Sequence, residues 1–236
     1  AFAIGTDTGG SVRIPASLTG IAGLKTTKGV WPTDGIFPLS PTLDTPGPLA
    51  RSLEDIKYIF NAYQSNLISE KKLMSLNGLT LAKLGSPFTD ELDEEVSIAY
   101  EIFCNELIKK GVNIIDLNIP EANERTKLFP SIVGSEIVSA FGETRFLNEV
   151  EKMDPVTAKR AKVGLDVRSI DYLNLKSRLK ELEVMASKFF QKYDALVSPT
   201  TVMRAMKVKD CEIDAPLHDR SLLSSANTQP ANLFNL

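Results

Sequence analysis

Hydrophobic and polar positions alternate between two periods along this chain, one near two and one near 3.6 residues. Ala1-Phe2-Ala3-Ile4 is a short apolar run that reads as a strand, followed by a Gly/Thr/Asp turn over residues 5–11. Pro15 falls near a helix start, where its missing N–H costs little. Residues 21–26 read as a second extended run. Residues 29–48 carry Pro32, Pro38, Pro41, Pro46 and Pro48 and read as an ordered loop. Ser52-Leu53-Glu54-Asp55 is a capping-box start. It opens a helix to about Tyr63 with Leu53, Ile56, Ile59 and Phe60 on one face.

Residues 79–84 read as a strand. Thr89 or Asp90 caps a long helix over residues 91–110, and Gly111 is a suitable stop. Its acidic first turn and its basic last turn (Lys109, Lys110) suit the helix dipole. Residues 112–117 form a β-branched strand, so a parallel pair with a right-handed crossover is expected. Residues 121–150 read as helical with an interruption near Gly134 or Gly142. Ser169 caps a helix to about Tyr193, with an apolar stripe of Leu173, Leu179, Leu182, Met185, Phe189 and Phe190. Residues 195–198 form a short buried strand, and the chain after Pro199 is polar and irregular. The alternation predicts an α/β fold, a mixed β-sheet core flanked by helices. No repeat or linker divides it. One domain over residues 1–236 is expected, with regions at 1–63, 79–118 (strand–helix–strand) and 121–193 (helical).

Composition narrows the classes. The chain has 236 residues, 43% hydrophobic and 24% charged, with a net charge of −3. That is enough apolar material for a core and argues against disorder. The acidic balance argues against non-specific nucleic-acid or anionic-membrane binding. No apolar run approaches the about 18–20 residues of a membrane span, and no signal peptide opens the chain. Cys104, in a helix, and Cys211, in a polar loop, do not suggest a disulfide framework, and a reducing cytoplasm fits. Two Cys and the single His218 cannot build an ordinary zinc site. His218-Asp219 lies in a charged loop and reads as surface. The apolar start without Met, and an end at Leu236 without a tail, read as a chain cut from something longer.

The densest chemical signal is Gly5-Thr6-Asp7-Thr8-Gly9-Gly10-Ser11-Val12-Arg13-Ile14-Pro15-Ala16. It places a Ser after two glycines, between a strand and a helix. Glycines allow a tight turn that presents consecutive N–H groups into one concavity. Such a nest can hold an oxyanion, and the Ser11 hydroxyl is placed to attack the same carbonyl. Asp7 and Arg13 can pair across the turn. A phosphate loop would need Lys where Ser11 stands. An aspartic-protease reading of Asp7-Thr8-Gly9 needs a second such Asp, and Asp44-Thr45-Pro46-Gly47 is not one. A plain glycine-rich turn with a capping Ser remains the structural alternative.

The stretch resembles the signature of the amidase signature family of serine hydrolases, Gly-x-(Ser/Thr)-Asp-(Thr/Ile)-Gly-Gly-Ser-(Ile/Val)-Arg-x-Pro-(Ala/Ser), from Gly5 to Ala16. The likeness continues through Gly20-Ile21-Ala22-Gly23-Leu24-Lys25, where Thr26 replaces the usual Pro. It then runs through residues 35–40 and 43–52, with weaker echoes at 193–200 and 227–232. The resemblance implies a Ser-Ser-Lys mechanism with Ser11 as nucleophile. It implies an oxyanion hole from the N–H groups of Thr8, Gly9, Gly10 and Ser11, with Asp7 and Arg13 as support. The family's bridging Ser and catalytic Lys lie upstream of the matched stretch and have no counterpart here. Lys25 and Lys28 match loop positions. The chain by itself is therefore expected to have little or no activity.

The resemblance further implies hydrolysis of a small carboxylic amide to acid and ammonia, without metal or organic cofactor. A glutamyl-tRNA amidotransferase A-type subunit is the alternative, and Thr45, where that subunit has Gln, speaks against it. A non-catalytic remnant of the fold is another. The expected partner is a small-molecule amide, with a homodimer left open and with no nucleic acid or membrane. Trp31 and Phe37 are candidates to line an acyl pocket. Phe129, Ile132, Ile137 and Phe141 are candidates to shape the substrate pocket or to serve as core. The Lys/Glu-rich stretch 176–192 reads as a solvated helix face.

Overall fold

The structure is a computed structural model and describes residues 1–63, 75–212 and 217–236. Its elements, in chain order, are β1 (Phe2–Thr6), α1 (Arg13–Thr19), β2 (Ala22–Gly23), β3 (Pro46–Ala50), α2 (Leu53–Tyr63), β4 (Thr80–Leu84), α3 (Glu94–Lys109), β5 (Asn113–Leu117), α4 (Arg125–Phe141), α5 (Glu143–Glu149), α6 (Pro155–Lys162), α7 (Ser169–Ser187), β6 (Ala195–Val197), α8 (His218–Leu222) and α9 (Gln229–Leu233). The expected α/β mixture is present. Its strands form two three-stranded sheets, an antiparallel one ordered β1-β3-β2 and a parallel one ordered β5-β4-β6.

The end of the expected loop over residues 29–48 is instead the central strand of the first sheet. Two prolines are tolerated there for a geometric reason. The main chain of Asp7 donates to the carbonyl of Thr45, so residues 45, 47 and 49 face β1. Leu24 donates to the carbonyl of Pro48, so Pro46 and Pro48 face the two-residue β2 side, where few ladder bonds are lost.

The strand–helix–strand unit forms as expected, with β4 and β5 parallel and Gly111 at φ +86° ending α3. The helix starts at Glu94, later than expected, because Asp93 takes extended backbone and donates its N–H to Val202. The interruption of the long helical region falls at Gly142. Gly134 stays helical and packs against Gly164, where an added Cβ would lie 2.7 Å from the Gly164 nitrogen. The helix from Ser169 ends at Ser187 and is followed by a 3-10 turn over Phe189–Gln191. Its stripe is only partly covered: Leu179 and Leu182 are buried, while Leu173 and Phe190 are exposed. Leu53 on α2 is likewise exposed, with Ile56 the buried anchor. The stretch around His218 is a short helix where a loop was expected.

The main core lies between the parallel sheet and the helices. Ala82 and Leu84 of β4 pack with Leu128 and Ile132 of α4, Leu175, Leu179 and Leu182 of α7, and Leu233 of α9. A second cluster, built on Ile137, Phe146, Ala158 and Ala161, fixes α6 against α4. No helix among the described residues is long and apolar enough to cross a membrane.

Candidate active site

The turn between β1 and α1 is built around the carboxylate of Asp7, which is fully buried. It accepts from the N–H groups of Gly10 (2.8 Å), Val12 and Arg13 (both 3.3 Å). The Arg13 guanidinium adds Nε at 3.0 Å and Nη2 at 2.8 Å, and Asn232 adds Nδ2 at 2.9 Å. Burial pushes the Asp7 carboxyl up, but the hydrogen bond and charge of Arg13, with the Asn232 amide, outweigh it and hold the group below its ordinary value. The expected Asp7–Arg13 pair is therefore present, and it carries a wider network than a pair. Arg13 also donates to the Thr228 carbonyl (3.1 Å) and to Asn232 Oδ1 (2.6 Å), and Thr228 Oγ1 donates to the Gly9 carbonyl (2.6 Å).

A second buried carboxylate supports the other side of the turn. Asp44 accepts from Thr8 Oγ1 (2.5 Å) and from the N–H groups of Leu39 (2.9 Å) and Ser40 (3.0 Å). The same loop is tied to α4 and α7 through Glu136. Glu136 accepts from the Ser40 and Thr42 hydroxyls, from the Thr42 N–H (3.0 Å) and from the Tyr172 hydroxyl (2.5 Å). Burial raises the Glu136 carboxyl, yet these donors bring it below its ordinary value. Burial and Glu136 push the Tyr172 hydroxyl up to about 12.

Ser11 is exposed and lines a cavity of about 230 Å³ together with Thr8 and Gly9. Its walls include Ile14, Leu39, Phe129, Val133 and Ile137, and its polar atoms come from Thr157, Arg160, Ser224, Ser225 and Gln229. Gly10 sits behind the surface at φ +132°, a backbone that favours glycine, with Thr228 and Ile14 packed where a Cβ would stand. Its N–H is taken by Asp7. The N–H groups of Thr8, Gly9 and Ser11 have no acceptor among the described residues.

Of the expected pocket residues, Phe129 and Ile137 do line the cavity, whereas Ile132 belongs to the main core. Phe37 packs edge-on against Phe141, with ring centroids 5.1 Å apart. Trp31 packs on Phe60 and Tyr63 of α2 at 5.9 and 4.7 Å and holds the loop down, away from the cavity lining. His218 bonds through Nδ1 to the Cys211 carbonyl (3.1 Å) and does not line the cavity. Lys25 and Lys28 do not line it either. Thr45, the residue weighed for substrate class, is buried with its hydroxyl on the Leu43 carbonyl (3.2 Å). Sequence reasoning gave no site role to Asn232, Thr228, Asp44 or Glu136; the first three lie within the stretches 43–52 and 227–232 that carry the family likeness, and Glu136 had no signal.

Comparison with known proteins bears on this arrangement. The chain is 34% identical over 237 residues to 2-amino-5-chloromuconic acid deaminase of Comamonas testosteroni, covering 99% of this chain and 51% of that protein. It is 32% identical to mandelamide hydrolase of Pseudomonas putida, covering 97% and 46% respectively. The chain thus spans about half the length of the curated relatives it matches. Among solved structures, an amidase crystal structure superposes with a TM-score of 0.85 at 22% identity, covering 99% of this chain and 53% of that one. The A-type subunit of glutamyl-tRNA(Gln) amidotransferase from Thermotoga maritima gives 0.77 at 23%, covering 100% and 53%. At such identities these two speak for the fold. The family model described as Amidase matches residues 1–236, and the chain belongs to that family.

Proposed function

We propose that this chain carries the nucleophile and oxyanion side of an amide-hydrolysing site. The observation that supports it most is the placement of Ser11 in a cavity beside N–H groups that no described protein acceptor uses. In this reading Ser11 Oγ attacks the amide carbonyl carbon. A C–O bond forms, and the carbonyl oxygen takes the negative charge against the N–H groups of Thr8, Gly9 and Ser11, which cost little reorganisation because Asp7 and Asp44 fix the turn. The C–N bond then breaks, the nitrogen leaves with a proton as ammonia, and water releases the acid from the Ser11 ester. Gly10 serves this site through its φ and through its bond to Asp7.

The proton from Ser11 needs an acceptor. Among the described residues no His, Lys, Asp or Glu lines the cavity, and Arg160 is the one charged side chain that does. The base, which the family resemblance assigns to a Lys acting through a bridging Ser, must then come from residues outside this cavity wall. The 236-residue chain alone is accordingly proposed to turn over amides slowly or not at all. The cavity volume, at the low end for ligand sites, suits a small amide. The test is covalent labelling by a fluorophosphonate, read by mass spectrometry, with Ser11→Ala as control. One adduct on Ser11 supports the reading; labelling that survives Ser11→Ala, or rapid amide turnover by this chain unaffected by that change, overturns it.

A further inference from the structure

We infer that the outer face of α3 is a self-complementary docking surface on which a second copy of this chain packs, its own α3 running antiparallel. α3 covers one face of the parallel sheet. Ala82 and Leu84 of β4 pack with α4 and α7 on the other face, and Lys83 between them pairs with Glu101 of α3 at 2.5 Å. Tyr100 and Cys104 are buried on the sheet side of the helix, where the Tyr100 hydroxyl donates to the Val197 carbonyl at 2.6 Å. The side turned away from the sheet is apolar at its middle, where a solvated helix is polar. Ile98 is 51% exposed, Ile102 57% and Phe103 51%. Ile98 and Ile102 stand one turn apart, and Phe103 flanks Ile102. Single apolar residues scattered over a surface are ordinary, but three together at the centre of a 16-residue helix make a patch.

The charges around that patch select the occupant. Glu94 and Glu95 stand in the first turn and Lys109 in the last, with Lys110 next to it. Ile102 is the midpoint of residues 94–110. A copy of the helix turned about a two-fold axis beside Ile102 sets Ile102 on its counterpart and each acidic end on a basic end, and it opposes the two helix dipoles. Glu95, Ile98, Ile102, Asn105 and Lys109 recur at spacings of three and four, the pattern of a seam between two helices. A parallel copy would set the acidic turn on itself, and a partner of one charge sign would answer only one end. The ion pairs these ends make within the chain, Glu95 with Arg204 at 2.9 Å and Lys109 with Glu106 at 2.7 Å, are exposed and hold the side chains weakly. Glu94 and Lys110 have no ion pair among the described residues. One helix against its copy falls at or below the low end of the about 1,200–2,000 Å² of stable interfaces, so a dissociation constant on the order of micromolar is expected. No residue of α3 lines the Ser11 cavity, so the inference stands apart from the amidase reading.

The experiment is sedimentation velocity on the 236-residue chain over a concentration series of about 1–100 μM at low salt. The expected result is a mass that rises with concentration toward twice that of the monomer, and self-association weakened at least about tenfold by Ile102→Lys. Ile102 is exposed, so the change spares the fold, and circular dichroism checks that. Two charge-reversed proteins give a second route, Glu94→Lys with Glu95→Lys in one and Lys109→Glu with Lys110→Glu in the other; all four positions are exposed. Each of these meets its own copy with like charges and should stay monomeric. An equimolar mixture should form a heterodimer at least as tight as the parent dimer, because both ends then face opposite charge. A parent that stays monomeric across the series, a dimer that survives Ile102→Lys, or a mixture that does not associate overturns the inference. A dimer lost in Ile4→Lys but kept in Ile102→Lys also overturns it, and would assign the contact to the open edge of β1, where Phe2 and Ile4 are exposed.

Discussion

The side-chain amide of Asn232 donates to both the main-chain carbonyl (3.1 Å) and the carboxylate (2.9 Å) of Asp7, a residue 225 positions earlier in the chain. Its oxygen meanwhile accepts from Arg13 at 2.6 Å. One residue of α9 thus closes a triangle over the turn that presents Ser11. All three side chains are at least partly buried, so each group depends on the others for its partners.

Asn232→Ala removes that closure: the Asp7 carbonyl and carboxylate lose the amide donor, and Arg13 Nη2 loses one acceptor while keeping Asp7 and the Thr228 carbonyl. A loss of about 2–3 kcal/mol is expected, on the scale of hydrogen bonds to charged groups. Urea unfolding reads it as a lower midpoint at an unchanged slope. The rate of fluorophosphonate labelling at Ser11 should fall as well. A variant with parental stability and labelling rate would show that α9 merely leans on the turn.

Acid should unfold this chain through its buried carboxylates. Asp7 and Glu136 are both held below their ordinary values of 3.8 and 4.5. The unfolded chain therefore takes up protons first as pH falls. The stabilisation is fully present above about pH 5 and is lost as pH drops through the folded values. Asp7→Asn should have lower stability at pH 6 and a shallower decline between pH 5 and 3. Urea midpoints across that range test this, and parallel curves for the two proteins would refute it.

What the sequence made legible was local. The strand–turn–helix around Gly9-Gly10-Ser11, the parallel β4–β5 unit and the stop at Gly111 follow from short-range pattern and turn chemistry. β3 was hidden because two prolines read as loop until the sheet shows that both face a two-residue neighbour. Glu136 was hidden because a Glu in an amphipathic helix reads as solvated. It is buried only because Ser40 and Thr42 arrive from a loop about a hundred positions earlier. Asn232 and Thr228 were legible as a family echo, but their partners at Asp7, Gly9 and Arg13 exist only through tertiary contact.

Gly9 faces Phe129, and an added Cβ would lie 2.5 Å from its ring. Gly9→Ala should cost about 1–3 kcal/mol by overpacking and should displace Phe129 from the cavity wall. Phe129→Leu in the same background should return part of that stability, a coupling that a double-mutant cycle measures directly. Additive effects would mean that the backbone, and not Phe129, excludes a side chain there.

Lys25 gives a pH dependence of opposite sense. Its Nζ donates to the Thr26 carbonyl at 3.0 Å. Burial pulls its pKa down from 10.5 to about 8; the charges of Arg13 and Lys28 add to the fall, and Asp7 opposes it. Below pH 8 both folded and unfolded chains hold the proton, and the cost of burying the cation is fully present. Between pH 8 and 10.5 the unfolded chain holds more protons, so this group's contribution to stability rises with pH. Lys25→Met removes the cation at every pH. The variant should therefore gain on the parent by on the order of 1–3 kcal/mol at pH 7, after allowance for partial exposure, and the gain should shrink as pH approaches 10. Taking the difference between the two proteins cancels the other ionisations. Urea unfolding of both at pH 7, 8.5 and 10 decides the matter. A difference that stays constant over that range would mean that Lys25 keeps an ordinary proton affinity in the folded chain, with its ammonium solvated rather than buried beside Arg13.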